Sequence, residues 1–202
     1  MDNILLHLRK DPVLAQIIDQ NSLPENRSSG NIYQDLIRSI TGQQLSVKVA
    51  KVIYDRFLGL FEGFEPRPQE LIQLTVQELR SVGYSNQKAN YVLNVARFFH
   101  ENPTEYAHWQ QQEDKTIIKK LTQIKGVGKW TAEMILMFTL ERADILPVDD
   151  YGIQTAIKNH YRVNEENKAL KKRMLEIAEP WRPYRSIASR YLWASLNNEP
   201  VA

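Results

Sequence analysis

The sequence predicts an all-α fold. Strand signals, which are alternating Val, Ile and Thr runs bounded by turn residues, are nearly absent. Apolar residues instead recur at helical spacing along the whole chain. The chain has 202 residues, of which 43% are hydrophobic, enough to bury a core in one compact unit or in two closely apposed lobes.

In the first half of the chain, helical stretches are separated by clear turn signals. The first two predicted helices meet near Thr41 and Gly42, and the segment 61–68, with one glycine and two prolines, predicts a loop. A glycine turn at Gly83 separates the next two, and Pro103 closes this half. The predicted helices are 32–40, 47–60, 70–79 and 87–99.

The second half contains the most apolar helix. A helix at 115–124 is followed by a tight turn at 126–128 and by a helix at 130–140 that is apolar on nearly every side. Such a helix is expected to be central. The remaining predicted helices are 151–161, capped by Asp149 or Asp150, then about 165–178 and, after a proline-rich break, about 185–196.

Composition excludes several classes of protein. The chain has no cysteine, which rules out a disulfide framework, a thiolate zinc site and a cysteine-ligated iron-sulfur cluster. No apolar run is long enough for a signal peptide or a membrane span. We expect a soluble, cytoplasmic protein, associated with the nucleoid in a bacterium, with no membrane partner and with a monomeric state.

Charge is distributed unevenly around one glycine turn. The net charge of +2 is too small to indicate a nucleic-acid partner, yet the stretch 115–131 carries five lysines and no acidic residue. Within it, LTQIKGVGKWTAEMI (121–135) places Gly126 and Gly128 where one helix must turn into another. Glycine there permits positive φ and lets backbone N–H groups approach a phosphate. A solvated helix face with an ordinary interhelical turn is the alternative interpretation.

Four segments together resemble the helix-hairpin-helix (HhH-GPD) DNA glycosylases, and among them the DNA-3-methyladenine glycosylase II type. The segments are IKGVGKWTAEMIL (124–136), LPVDDYGI (146–153), ITGQQLSVKVA (40–50) and WRPYRSIASRYLW (181–193). Their order and separations match those of the superfamily, and together they span most of the chain. This agreement makes the resemblance specific although each fragment alone is weak.

The resemblance implies the helix-hairpin-helix glycosylase fold, with two helical lobes and the active site in the cleft between them. We expect a single glycosylase core over residues 1–202. One lobe covers about 30–115, and the other covers about 1–29 plus 116–202 and contains both the hairpin and the catalytic aspartate. Because the chain begins directly in the helical part, we expect none of the amino-terminal β domain of longer relatives.

In this superfamily the hairpin grips the DNA backbone without reading sequence, as damage in any context requires. The resemblance also implies a monovalent cation, Na⁺ or K⁺, bound by hairpin carbonyl groups, which match Thr122, Ile124 and Val127. The matching DNA contacts are Lys125, Gly126, Gly128, Lys129 and Thr131.

The Asp149–Asp150 pair precedes a helix, where an aspartate is most often a simple cap. The resemblance instead places the catalytic carboxylate on Asp150, with Asp149 as its neighbour. Breaking an N-glycosidic bond builds positive charge on the sugar, which one fixed carboxylate stabilises. An alkylated purine is already cationic and leaves as a neutral base, so a second acid is unnecessary.

Relatives that also cut the DNA backbone carry a Schiff-base lysine two residues after the second hairpin glycine, where this chain has Trp130. Lys129 is its neighbour, but one helical step rotates it by about 100 degrees away from the direction of Trp130. We therefore expect no lyase activity. The resemblance implies no organic cofactor.

An electron-poor base is attracted to indole faces, and Trp130 and Trp193 match the walls of the base pocket, with Tyr151 as a third. Met134 stands where the family type that the chain most resembles has a tyrosine, so the resemblance does not fix the substrate range, and a pocket lined by the soft methionine side chain could take several purines.

Two further groups of residues are candidate DNA contacts. Gln44, with Gln43 beside it, lies where relatives insert a side chain into the gap that an extruded base leaves. As isolated residues they would be ordinary surface glutamines. Arg182, Arg185 and Arg190 either cover the core with their alkyl stems or reach phosphates, and their spacing does not choose between these roles.

Taken together, the residues and the resemblance imply a monofunctional glycosylase that removes 3-methyladenine or 7-methylpurine type lesions from double-stranded DNA in base excision repair. One alternative is excision of 8-oxoguanine or another base lesion, against whose lyase form Trp130 argues. A non-catalytic helix-hairpin-helix DNA-binding module is the other.

Overall fold

The computed structural model describes residues 2–23, 25–26, 28–103 and 106–196. All regular secondary structure in these residues is helical, which confirms the predicted fold class. None of the described helices is long and apolar enough to cross a membrane. The chain divides into two compact units, which we call the central unit (28–140) and the terminal unit (1–27 with 141–202).

The helices follow one another with short connections. In chain order they are α1 (Asp2–Leu8), α2 (Pro12–Gln20), α3 (Ile32–Gly42), α4 (Val47–Leu58), α5 (Pro68–Leu71), α6 (Val76–Ser81), α7 (Asn86–Glu101), α8 (Tyr106–Gln110), α9 (Asp114–Leu121), α10 (Lys129–Met134), α11 (Tyr151–Tyr161), α12 (Asn167–Ala178) and α13 (Arg185–Leu196). Two 3₁₀ turns (Glu62–Phe64 and Glu179–Trp181) and one π-helical turn (Ile135–Thr139) complete the described regular structure.

The central unit is built around α3 and α7. α3 begins where the side chain of Asn31 accepts a hydrogen bond from the Gln34 N–H, and it buries Leu36, Ile37 and Ile40 completely. It packs against α4, α7 and the π-helical turn. Burial of aliphatic side chains of this size stabilises the fold by about 1.5–3 kcal/mol each.

The predicted boundary between the lobes at 115/116 is wrong, because the two units divide at Leu140/Glu141. α9 packs against α10, and its Ile117 and Leu121 are buried within the central unit. Asn94 of α7 donates a hydrogen bond to the Lys125 carbonyl (3.0 Å), which ties the hairpin to the same unit. The hairpin therefore belongs with residues 28–115 and not with the segment that carries Asp150.

Two predicted helices are also divided. The predicted helix 70–79 is two short helices, because a capping box of Thr75 and Glu78 starts α6 after α5 has ended. The predicted helix 130–140 is α10 followed by the π-helical turn, a rare conformation that is frequent at functional sites.

The terminal unit packs α11 against α13, and α13 against α2. Asp11 caps α2 and also accepts hydrogen bonds from the Tyr161 hydroxyl and the Trp181 indole, both at 2.8 Å. Trp181 is 1% exposed, and Ile153 and Ile157 of α11 are fully buried. This packing fixes the direction of α11 and therefore the position of the loop 146–150 that leads into it.

Candidate functional site

Asp150 is held in one orientation at the start of α11. Its side chain caps the helix, with Oδ1 accepting a hydrogen bond from the Ile153 N–H at 2.8 Å. The same oxygen accepts a second hydrogen bond from the Trp193 indole N–H, also at 2.8 Å. The residue is half-buried. Of the two predicted caps, Asp150 is the one that the structure uses, and capping does not compete with a chemical role because it orients the carboxylate.

Gly152 allows the indole to reach the carboxylate. A Cβ at this position would lie 3.0 Å from Trp193 Cδ1 and 3.1 Å from Asp150 Oδ1. Sequence reasoning missed Gly152 as a site residue. Its signal was available, because a glycine in the first turn of a helix is unfavourable and needs a reason.

The neighbours of Asp150 face outward. Asp149 forms an ion pair with Lys171 of α12, and the Tyr151 side chain is 83% exposed. Asp149 and Asp150 thus have different surroundings although they are adjacent in the sequence. Tyr151 as part of a base pocket stays a prediction.

In the central unit, Trp130 lies in the first turn of α10 and is 40% exposed, an unusual exposure for an indole in an apolar helix. Met134, one turn further along, is half-buried. Thr131 is only 3% exposed, and its contact with DNA stays a prediction.

The two hairpin glycines have different reasons to be glycine. Gly126 has φ +110°, and a Cβ there would lie 2.3 Å from Cγ of Tyr91. Gly128 has φ −88°, and a Cβ there would meet no atom of the described residues within 4 Å. The protein itself therefore requires Gly126, whereas no contact among the described residues requires Gly128.

The two hairpin lysines also differ. Lys125 is exposed, and its backbone carbonyl is the group that Asn94 binds. Lys129 forms an ion pair with Glu133 one turn along α10, at 3.3 Å. Glu133 is 4% exposed, and a buried carboxylate needs such a cation.

The segment 42–46, which we call the wedge loop, carries Gln43 and Gln44 between α3 and α4. Gln44 is exposed and adopts φ +58°, in the left-handed region that only a few per cent of non-glycine residues occupy. The loop ends at Ser46, whose side chain caps α4.

The carboxy-terminal arginines make contacts within the protein. Arg185 is 9% exposed and binds the Asp144 carboxylate through Nε at 2.6 Å. Arg182 forms ion pairs with Asp144 and Glu179. The burial of Arg185 and its contact with Asp144 favour the core-covering interpretation for that residue, whereas Arg182 is exposed and its ion pairs favour neither interpretation.

The predicted residues fall into two groups. The structure brings Asp150 and Trp193 into direct contact in the terminal unit. Trp130, Met134, the hairpin and the wedge loop all belong to the central unit.

Comparison with known proteins gives a consistent result. The family described as HhH-GPD superfamily base excision DNA repair protein matches residues 37–183. The DNA-3-methyladenine glycosylase 1 of Schizosaccharomyces pombe is 34% identical over 164 residues, covering 80% of this chain and 71% of that protein.

Solved structures agree. The crystal structure of a DNA-3-methyladenine glycosidase from Bacillus halodurans is 35% identical with a TM-score of 0.80, covering 95% of this chain and 88% of that one. The S. pombe 3-methyladenine DNA glycosylase in complex with abasic DNA is 28% identical with a TM-score of 0.82, covering 96% and 97%. Because the family matches well over half of the chain, this chain belongs to the HhH-GPD superfamily of base excision DNA repair proteins.

Proposed function

We propose that the chain is a monofunctional DNA glycosylase of the DNA-3-methyladenine glycosylase II type, which hydrolyses the N-glycosidic bond of alkylated purines in double-stranded DNA. The observation that carries the proposal is the Asp150 carboxylate, which the Ile153 N–H and the Trp193 indole fix at the start of α11. The relatives named DNA-3-methyladenine glycosylase support the substrate class.

In the proposed reaction the bond between C1′ and the purine nitrogen breaks, and its electron pair leaves with the base. The purine is cationic before the step and neutral after it, so the leaving group needs no proton. Positive charge then resides on the sugar, where the Asp150 carboxylate stabilises it. A water oxygen attacks C1′ and loses a proton to that carboxylate or to solvent, which completes hydrolysis.

The absence of lyase activity is part of the proposal and is supported by the residues around the hairpin. Trp130 occupies the position of the Schiff-base lysine, and Lys129 is engaged by Glu133 at 3.3 Å. An ammonium held by a carboxylate is a poor nucleophile, because attack requires the neutral amine. Incubating the enzyme with product DNA and borohydride tests this: we expect no trapped adduct and no strand scission, and either product would overturn the monofunctional assignment.

Exposed aromatic rings supply the chemistry for a cationic base. Trp130 and Tyr151 both present a large part of their rings to the outside. A cation over such a ring gains about 0.5–2 kcal/mol, more when water is excluded. We propose that Trp130, Trp193 and Tyr151 contribute to base binding, and that Met134 adapts the site to more than one purine.

The hairpin is proposed to hold the DNA backbone, and its carbonyl groups to hold Na⁺ or K⁺. The Ile124 carbonyl accepts a hydrogen bond from the Val127 N–H at 2.9 Å, which fixes its direction. Thr122 is the C-cap that follows α9, where helix carbonyls carry the negative end of the dipole. Neutral oxygen donors of this kind, with the Val127 carbonyl, suit a hard cation. When bound, the ion would attract a phosphate. Replacing K⁺ by tetramethylammonium at constant ionic strength is expected to weaken DNA binding, and equal affinity in both salts would count against the site.

The central test is release of free base from methylated duplex DNA by the wild type and by Asp150→Asn. Asparagine caps helices as well as aspartate and keeps an oxygen for both N–H donors, so the fold should persist. We expect the wild type to release 3-methyladenine and 7-methylguanine, and the variant to lose activity by about 10²–10³-fold while retaining DNA binding. The matched control is Asp149→Asn, which removes the adjacent carboxylate and is expected to retain activity. Equal activity of Asp150→Asn and wild type would remove Asp150 from the mechanism.

A second test separates the indole contact from general packing. Trp193→Phe keeps a ring but removes the N–H donor to the carboxylate, and we expect it to lower the rate of base release by roughly tenfold or more. Trp181→Phe is the control, because it removes the equivalent indole bond to Asp11 and should reduce stability without a specific loss of rate. Similar rates in the two variants would argue against a positioning role for Trp193.

A further inference from the structure

The wedge loop is held in a conformation that its own sequence does not favour. Gln44 has positive φ without being glycine. The Gln43 N–H donates to the carbonyl of Ser39 in α3 (3.2 Å), and the Leu45 N–H donates to the Gly42 carbonyl (3.2 Å), which defines a turn around the exposed Gln44. A left-handed residue persists when the surrounding structure determines it, so some group outside the loop is expected to fix it.

That group is Lys88, in the first turn of α7. Its ammonium donates hydrogen bonds to two carbonyl oxygens, those of Thr41 (2.8 Å) and Gln43 (2.6 Å). These carbonyls lie on either side of Gly42, where α3 ends and the loop begins. One charged group thus fixes two nearby points of the backbone that leads to Gln44. Lys88 is half-buried, and this burial lowers the pKa of its ammonium group.

A second contact fixes the same end of α3. The Tyr84 hydroxyl lies 2.6 Å from Thr41 Oγ1, and Thr41 Oγ1 donates to the Ile37 carbonyl at 2.8 Å, so the Tyr84 hydroxyl is the donor in the first bond. Both groups are buried. The segment 84–88 therefore attaches to the end of α3 through a buried hydroxyl pair and through an ammonium, and only the ammonium reaches the loop itself.

We infer that Lys88 is a positioning residue for base extrusion, which holds the wedge loop so that Gln44 is presented in a fixed conformation before DNA binds. The inference rests on the proposed function. A loop that is ordered in advance avoids the entropy cost of ordering in the complex. Lys88 should therefore increase the rate of base release most when the target base is paired and must leave the duplex stack, and least when the base is already unpaired.

The experiment compares two duplexes that carry the same 7-methylguanine, one opposite cytosine and one opposite a tetrahydrofuran abasic analogue. Single-turnover release of the base is measured for the wild type, Lys88→Met and Lys88→Arg, with thermal unfolding as the check on folding. We expect Lys88→Met to be slower by about tenfold on the paired duplex and by less than about threefold on the unpaired one. Lys88→Arg, which keeps the charge and the donors, should recover most of the rate. A loss of equal size on both duplexes would overturn the inference, since a general defect in folding or chemistry affects them alike.

A double-mutant cycle with Gln44→Ala tests whether Lys88 acts through the loop. If it does, adding Lys88→Met to Gln44→Ala should change the rate on the paired duplex by less than about twofold, whereas independent effects would multiply. Lys51→Met is the charge control: its ammonium pairs with Asp55 on its own helix, so it should show no preference between the duplexes. The number of counterions released on DNA binding is obtained from the dependence of affinity on salt concentration. If Lys88→Met lowered this number by about one and Lys51→Met did not, Lys88 would be a phosphate ligand and the inference would be overturned.

The outcomes also separate this inference from the proposed function. Failure of the wild type to release base from either duplex contradicts the proposed activity. Normal release by the wild type together with wild-type rates for Lys88→Met contradicts the positioning role alone.

Discussion

The central unit contains two pairs of consecutive helices, each connected by a turn in which a glycine has positive φ. These glycines are Gly83 (φ +114°) and Gly126 (φ +110°). In both, the missing side chain leaves room for a neighbour: Ile53 at Gly83 and Tyr91 at Gly126. They differ in how the next helix begins. After Gly83, the Ser85 side chain caps α7, whereas after Gly126 the cap of α10 is Gly128, with no side-chain cap.

This difference separates an inward from an outward role. The first turn provides a side-chain cap for the helix that follows it, and it places Tyr84 and Lys88 against the end of α3. The second turn leaves open space at Gly128, next to Lys125 and Lys129. Turns with similar glycine geometry therefore have different roles. The turn at Gly83 supports packing within the protein, and the turn at 126–128 suits the approach of a phosphate in the proposed DNA complex.

The largest effect is expected for Gly126→Ala. The new Cβ would lie 2.3–2.7 Å from Cγ, Cδ1 and Cβ of Tyr91. These atoms are at the base of the side chain, so the backbone of Tyr91 would also have to shift. Overpacking and the left-handed φ together should lower the free energy of unfolding by about 2–4 kcal/mol. Urea denaturation measures this, and a loss below about 1 kcal/mol would mean that the hairpin tolerates a side chain there.

Gly83→Ala should cost less. The nearest atom to its Cβ is Cγ1 of Ile53 at 3.0 Å, and this half-buried side chain can shift. We expect a loss of about 1–2 kcal/mol, mostly from the left-handed φ. If the same denaturation experiment gave equal losses for both glycines, the contrast in packing between the two turns would be incorrect.

Sequence reasoning predicted this part of the molecule unevenly. The double glycine at 126–128, the apolar helix after it and the cap before α11 were visible as local patterns, because turns and caps depend on neighbouring residues. The lobe boundary and the break of 130–140 into α10 and a π-helical turn were not, because they depend on packing between distant segments. The contacts of Lys88 with residues 41 and 43, and of Asp150 with Trp193, join positions more than forty residues apart. No single-sequence pattern indicates them.

Gly128→Ala should separate stability from binding. Since φ is −88° and the space around the Cβ is open, the free energy of unfolding should change by less than about 0.5 kcal/mol. Affinity for a duplex with a tetrahydrofuran site should fall by roughly tenfold, because the methyl group would hold a phosphate away from the backbone N–H groups. Fluorescence anisotropy measures the affinity. Unchanged binding would indicate that the open space at Gly128 has no role in DNA contact.

The smallest effect is expected at the hairpin lysines, and it sharpens the outward role of this turn. Lys125→Ala removes an exposed charge, so it should reduce the salt dependence of DNA binding by about one counterion and leave stability unchanged. Lys129→Ala should weaken binding similarly but should also lower the free energy of unfolding, because the buried Glu133 would lose this ion pair. Titrations at several salt concentrations, combined with urea denaturation, distinguish the two lysines. An unchanged salt slope in both variants would leave the glycine turn as the part of the hairpin that contacts the backbone, because charge attraction would then come from elsewhere on the surface.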